Sequence, residues 1–160
     1  MRRYGRWFAI SALIVVADQL SKWTALAFLV PGERIEVTGF LNLVLVFNRG
    51  AAFSFLAAAP GWQTPLLIAI AGVAVAVVGI LIVRDPGRRL LCTGLALILG
   101  GALGNLIDRL RYGHVVDFVD LHAAGWHWPA FNVADSGITV GAVILILESF
   151  VHREKGAGAT

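Results

Sequence analysis

The chain has 160 residues, 58% of them hydrophobic and 14% charged, with a mean hydropathy of +0.80. Soluble domains carry about a quarter charged residues, so this composition points to a membrane protein. The formal net charge of +3 resides largely in basic residues between apolar runs, where membrane topology explains them better than nucleic acid does, and the single Cys92 excludes an intramolecular disulfide or a cysteine metal cage.

Four apolar segments, approximately residues 7–30, 62–83, 90–110 and 134–151, are long enough to cross the hydrocarbon core, which takes about 20 residues. The first has the basic and apolar regions of a secretory signal. Asp18, Gln19 and Lys22 follow Ala17 where a cleavage site belongs, so a retained helix is expected. Arg2, Arg3, Arg6, Arg84, Arg88, Arg89, Arg153 and Lys155 fall on one side of these spans; Arg34, Arg49, Arg109 and Arg111 fall on the other. That bias predicts both termini inside and the two longer loops outside.

The inner link, RDPGRR at 84–89, reads as a tight turn between antiparallel helices. In the first outer loop, Arg34–Phe47 is β-branched and partly alternating, which predicts a short strand pair at the membrane surface. Ala51–Ala59 suits a short interfacial helix ended by Pro60–Gly61. The second loop carries a strand-like Val115–Leu121 and then Trp126-His127-Trp128-Pro129, whose tryptophans favour the headgroup level. The fold class expected is an all-α membrane protein with four transmembrane helices, N-in and C-in, a small extracytoplasmic β-sheet and a short interfacial helix, forming one membrane-embedded domain over residues 1–160.

Within this apolar chain, Asn105, Asp108, Arg109, Asp117, Asp120, Asn132 and Asp135 crowd into residues 104–135. Asp18 and Lys22 lie four apart on one helix face, either as a self-neutralising pair that pins the helix or as the border of a polar site. Asn48-Arg49-Gly50-Ala51 reads as a turn, or as a place where an asparagine amide holds an extended peptide. Asp108 and Arg109 near a helix end, with Asn105 a turn away, have a capping explanation, as does Asp135-Ser136 at the head of span four.

Asp117 has no such explanation. It stands between Val116 and Phe118, where burial should raise its pKa and a nearby carboxylate should raise it further. Gly100-x-x-x-Gly104 and Gly137-x-x-x-Gly141 predict close packing of spans three and four, which would bring Asp135 towards Asp117. Two carboxyls sharing one proton can activate water and polarise a peptide carbonyl without a hydroxyl nucleophile or a metal.

His114, Asp117, Asp120, His122 and His127 match no metal-ligand spacing, so no metal or cofactor is expected, and Asp120 and the histidines read as surface residues. Ser54 and Ser136 have no evident base, and Cys92 lies toward the opposite side. A proton relay through Asp18, Asp117 and Asp135, or a structural subunit whose polar residues bind a partner, are the alternatives. Two carboxylates outside the core and the lack of a discontinuous helix pair count against the relay.

Five motifs in order, Asp18-Gln19-x-Ser21-Lys22, Asn48-x-Gly50-Ala51-Ala52-Phe53-Ser54, Gly104-Asn105-x-x-Asp108-Arg109, Gly113-x-Val115-Val116-Asp117-Phe118 and Phe131-Asn132-x-Ala134-Asp135, span nearly the whole chain. Together they resemble the lipoprotein signal peptidase (signal peptidase II) family of bacterial aspartic membrane proteases. The resemblance implies catalytic roles for Asp117 and Asp135, with Asp18, Lys22, Asn48, Gly50, Ala51, Asn105, Asp108, Arg109 and Asn132 supporting the site and positioning the substrate. It further implies a β-cradle on the membrane and cleavage of prolipoproteins just before a diacylglyceryl-modified cysteine. Inhibition by globomycin-type cyclic peptides and an extracytoplasmic site on the plasma membrane, in contact with membrane lipid, follow from the same resemblance. Arg49, bulky between Asn48 and Gly50, is a candidate for tuning substrate preference.

Overall fold

The structure is a computed structural model that describes residues 4–50 and 61–157, with side chains up to residue 150. Its elements run α1 (Gly5–Phe28), β1 (Arg34–Thr38), β2 (Leu41–Asn48), α2 (Gln63–Arg84), α3 (Arg89–Tyr112), β3 (Val115–Ala123), β4 (Trp126–His127) and α4 (Val133–Ala157). All four helices are long and apolar enough to cross a membrane, at about 1.5 Å per residue. The expected interfacial helix, Ala51–Ala59, and with it Ala51, lies outside the described residues.

Apolar residues cover the outside of the bundle. Ile70, Val73, Val77 and Ile80 of α2 and Val140, Val143 and Ile146 of α4 are all exposed. A soluble protein would bury such stripes; lipid solvates them, so what remains for the interior is packing and polar contact. The core gathers at one end of the bundle, where Trp7, Ile82, Cys92, Leu95, Ala96 and Leu99 pack together.

At that same end, the Trp7 indole donates to the Pro86 carbonyl at 3.1 Å and Arg88 pairs with Glu148. The start of α1 and the lower part of α4 therefore meet the tight α2–α3 link. This agrees with the antiparallel neighbours expected from the short link.

Helix α3 is the hub, with α1, α2 and α4 packed around it. The glycine expectation is correct in kind and wrong in detail. A Cβ on Gly100 would meet Ser11 O and Ile14 of α1, at 2.7 Å from each, and one on Gly104 would come 2.5 Å from Asp18 Oδ2. Gly100 and Gly104 thus face α1. Gly94 and Gly101, about two turns apart on a different face, meet α4: a Cβ on Gly101 would strike the Ala134 carbonyl, and one on Gly141 would lie 2.6 Å from Gly94 O. Successive residues are rotated by about 100°, so Gly100 and Gly101 serve different neighbours. Gly137 meets Ile14 and Leu97 instead of a glycine.

The strands form one antiparallel sheet in the order β1-β2-β3-β4. Arg34–Phe47 is the strand pair expected, and β2 then pairs with β3, joining the two loops in one sheet with Asn42 opposite Asp120 and Val46 opposite Asp117. The register shifts between Leu43 and Val46, and Val44 and Leu45 are consecutively buried there. An extra residue of this kind bends a strand and redirects side chains beyond it.

Candidate active site

The site begins with the place where α4 starts. Asn132 caps it: the Asn132 side-chain oxygen accepts the Asp135 N–H at 2.9 Å, while Asp135 Oδ2 accepts the Asn132 N–H at 3.3 Å. This reciprocal arrangement satisfies two otherwise orphaned donors. Asp135-Ser136 is therefore not the cap itself. Asp135 stands in the first turn, and Ser136 donates back to the Asn132 carbonyl at 3.0 Å.

This first turn is level with Asp18, whose Oδ1 accepts the Ala134 N–H at 2.9 Å. Helix α1 continues ten residues past Asp18, to Phe28, a rise of about 15 Å. The recess above the start of α4 is where β3 enters.

Asp117 comes down β3 into that recess. Val115 and Val116 before it are buried, and Asp117 itself is 1% exposed. Its Oδ1 accepts the Asn132 amide at 2.7 Å and its Oδ2 the Asn48 amide at 3.1 Å. Burial, reinforced by the charge of Asp135, pushes its carboxyl up to about 7, against the lowering effect of the Asn48 and Asn132 amides and of Lys22.

Asp135 completes the constellation by accepting the Asn105 amide at 2.8 Å. Asn132 donates its amide to Asp117 and its backbone N–H to Asp135, so two carboxylates eighteen residues apart share one asparagine.

A second polar layer lies behind. Lys22 Nζ sits 2.8 Å from both Asp18 Oδ2 and Asp108 Oδ2, and it donates to Asn105 Oδ1 at 3.0 Å. All three ionised groups are buried. Lys22 is thus shared between two carboxylates, which neither form of the Asp18–Lys22 expectation included. Asp108 Oδ2 also accepts the Val116 N–H at 3.1 Å. Gln19, part of a motif but given no role from sequence, donates to Asp108 Oδ1 at 2.9 Å.

Arg109 reaches from α3 to the loop after β2, donating to the Gly50 carbonyl at 2.9 Å and to the Asn105 carbonyl at 3.4 Å. Gly50 donates its N–H to Asn48 Oδ1 at 2.9 Å. The Asn48 oxygen therefore closes the expected turn, while its amide reaches Asp117. Helix α3 runs on past Arg109 to Tyr112 and ends at Gly113, which takes the left-handed conformation (φ 74°) of a helix C-cap.

A cavity of about 640 Å³ opens beside these groups. Asn48, Asn105, Arg109 and Asp135 line its polar end. Ala71 of α2, Ala102 of α3 and Ile138 and Val140 of α4 carry it down as an apolar cleft, with Trp128 and Phe131 on its wall.

Two surface assignments need correcting. Asp120 is buried, 5% exposed, and accepts the Asn42 amide at 2.8 Å and His127 Nδ1 at 2.9 Å. These hydrogen bonds, with the charge of Arg34, hold its carboxyl below its usual pKa despite desolvation. Only knowledge that β2 pairs with β3 would have placed Asn42 opposite Asp120. His114 packs between Phe47 and Tyr112, and burial together with the nearby Arg49 charge lowers its pKa.

Fold and site together define a multi-pass membrane protein with a carboxylate-rich centre at one end of its helices. The family profile for signal peptidase (SPase) II, Peptidase_A8, matches residues 10–151. Among similar proteins, the lipoprotein signal peptidase of Paraburkholderia phytofirmans is 53% identical over 151 residues, covering 94% of this chain and 87% of that protein. The lipoprotein signal peptidase of Ralstonia nicotianae is 54% identical over 144 residues, covering 90% and 83%. A bacterial membrane enzyme structure determined by the in meso method at 2.3 Å resolution superimposes with a TM-score of 0.84 at 28% identity, covering 94% of this chain and 91% of that one. The chain belongs to the signal peptidase II family and is a membrane-embedded protease.

Proposed function

We propose that the chain removes signal peptides from diacylglyceryl-modified prolipoproteins as an aspartic endopeptidase, cleaving just before the lipid-modified cysteine. The observation that carries this reading is the shared Asn132, which holds Asp117 and Asp135 to one another. In this mechanism one carboxylate takes a proton from water, whose oxygen attacks the scissile carbonyl carbon. The other, protonated, donates a hydrogen bond to the carbonyl oxygen. Collapse of the resulting diol breaks the C–N bond and passes a proton to the departing amine.

Asp135 lines the cavity, so arriving water reaches it directly, and Asn48, Asn105 and Arg109 supply donors for an extended peptide backbone. The apolar cleft between α2 and α4 suits the apolar parts of such a substrate, whose reacting bond must stay near water while its neighbours stay in lipid. Asp18, Lys22, Asp108, Gly50, Ala51 and Asn132 are assigned supporting roles, without metal or cofactor.

The same reading places the protein in the bacterial plasma membrane as one domain over residues 1–160. Both termini are inside, the sheet and an interfacial helix are outside against membrane lipid, and the site is open to globomycin-type inhibitors. The juxtaposition of the start of α1, the α2–α3 link and the lower part of α4 supports that topology, because it gathers the more basic sequence regions at one end.

The test is cleavage of a diacylglyceryl-modified precursor by purified protein in detergent. Asp117→Asn and Asp135→Asn should each lower kcat on the order of a thousandfold. Activity should survive a strong chelator. Wild-type turnover by either variant would exclude the dyad.

A further inference from the structure

Three residues beyond Asp117, another buried carboxylate on β3, Asp120, takes no part in the chemistry above. Its partners come from every other strand. Asn42 on β2 donates to Asp120 Oδ2 at 2.8 Å, His127 on β4 contributes Nδ1 at 2.9 Å from Oδ1, and Arg34 on β1 places Nε 3.6 Å from Oδ2. Arg34 Nη1 also lies 3.3 Å from His127 Nε2. An arginine can only donate, so Nε2 is the acceptor there and Nδ1 carries the proton given to Asp120. The neutral imidazole thus bridges the guanidinium and the carboxylate.

The backbone explains why such a tie is useful. After β3 the chain reverses and runs back along it, but β4 has only two residues, with His122 opposite His127 and Ala123 opposite Trp126. The return leg then bonds through Trp128 N–H to the Leu121 carbonyl at 2.7 Å and, after Pro129, through the mutual Val119 and Phe131 bonds at 2.9 and 3.0 Å. Trp128 and Phe131 wall the cavity, and the next residue is Asn132, which holds Asp117 and Asp135. A two-residue ladder is weak by itself. One side chain from each strand converges where that ladder ends.

We propose that Arg34, Asn42, Asp120 and His127 form a positioning network that holds the return leg in register and so shapes the cavity wall that recognises the substrate. This rests on the peptidase reading given above. The four residues touch no reacting atom, so their effect belongs in substrate binding more than in turnover.

The experiment uses the full chain in detergent with a diacylglyceryl-modified precursor, together with backbone hydrogen exchange. His127→Ala should raise KM about tenfold, as expected for removing one hydrogen bond from a buried carboxylate, and leave kcat within about twofold with an unchanged pH profile. His127→Asn keeps a donor near the Nδ1 position and should recover most of the loss. Exchange at the Trp128 and Phe131 amides should quicken in His127→Ala while amides inside the four helices keep their protection. A fall in kcat at unchanged KM, equal defects in both variants, or unaltered exchange at Trp128 and Phe131 would each overturn the network. Absence of cleavage by the wild type would refute the peptidase reading instead, and the exchange measurement would still decide the network.

Discussion

Lys22 Nζ and Asp108 Oδ2 lie 2.8 Å apart in the protein interior, and the same ammonium is 2.8 Å from Asp18 Oδ2. What each carboxylate does with its other contacts gives this ion triad its meaning. Asp108 accepts the N–H of Val116, the residue before Asp117; Asp18 accepts the N–H of Ala134, the residue before Asp135. A single cation therefore ties together the two backbone segments that present the paired carboxylates.

Lys22→Met should consequently remove more than a surface ion pair would. It leaves two buried carboxylates without their common counterion, and breaking a buried pair in this way costs about 3–5 kcal/mol. The expected outcome is a clear drop in thermal stability in detergent together with loss of cleavage. Melting unchanged from wild type would contradict the account of the triad.

The raised pKa of Asp117 gives stability a pH dependence of known sign. The folded state binds a proton there up to about pH 7, whereas the ordinary value is 3.8. Its contribution is fully present below the ordinary value and is lost as pH rises through about 7, because an ionised Asp117 is buried beside Asp135. Asp117→Asn removes that penalty. It also sets an amide NH2 against the Asn48 or Asn132 amide, a cost that does not vary with pH, so the Tm difference should move in the variant's favour from about pH 4 to mildly alkaline buffer; a constant difference across that range would show that Asp117 does not titrate as described.

Much of this architecture was legible in the sequence, and the reason differs from element to element. The spans show because lipid tolerates long apolar runs such as Gln63–Arg84, and Asp117 shows because a carboxylate after two valines is out of keeping with its surroundings. Helix rotation was harder: Gly100 and Gly104 have the spacing of a packing motif, but spacing does not say which neighbour a face meets. Asp120 was hidden for a related reason. Its burial depends on Asn42, seventy-eight residues away, and on a sheet pairing between separate loops that local pattern does not reveal.

The two glycine stripes of α3 predict a sensitivity that a glycine of α2 does not share. Gly101→Ala drives a methyl group into the Ala134 carbonyl at the head of α4, and Gly104→Ala crowds Asp18 Oδ2 at 2.5 Å. Both should lower Tm and cleavage, with overpacking costs of about 1–3 kcal/mol. Gly79→Ala in α2 has open space around it and should be neutral or stabilising by up to about 1 kcal/mol through helix propensity. Equal effects at all three positions would mean that close helix approach is not what these glycines provide.

The hairpin that starts the return leg carries a local conflict which substitution can relieve. Ala124 and Gly125 form its two-residue loop with φ of 49° and 82°, and Ala124 is the only described non-glycine residue with positive φ. A loop with both central residues left-handed favours Asn-Gly, whereas an alanine there carries a steric cost of about 1 kcal/mol. Ala124→Asn should therefore slow hydrogen exchange at the Trp126 and Trp128 amides, and Ala124→Val, which adds a β-branch in a disfavoured conformation, should quicken it. Because Trp128 and Phe131 wall the cavity, KM for a lipid-modified precursor should move with that protection, lower for Asn and higher for Val, while kcat stays near wild type. Exchange that responds while KM does not would separate the hairpin from substrate recognition.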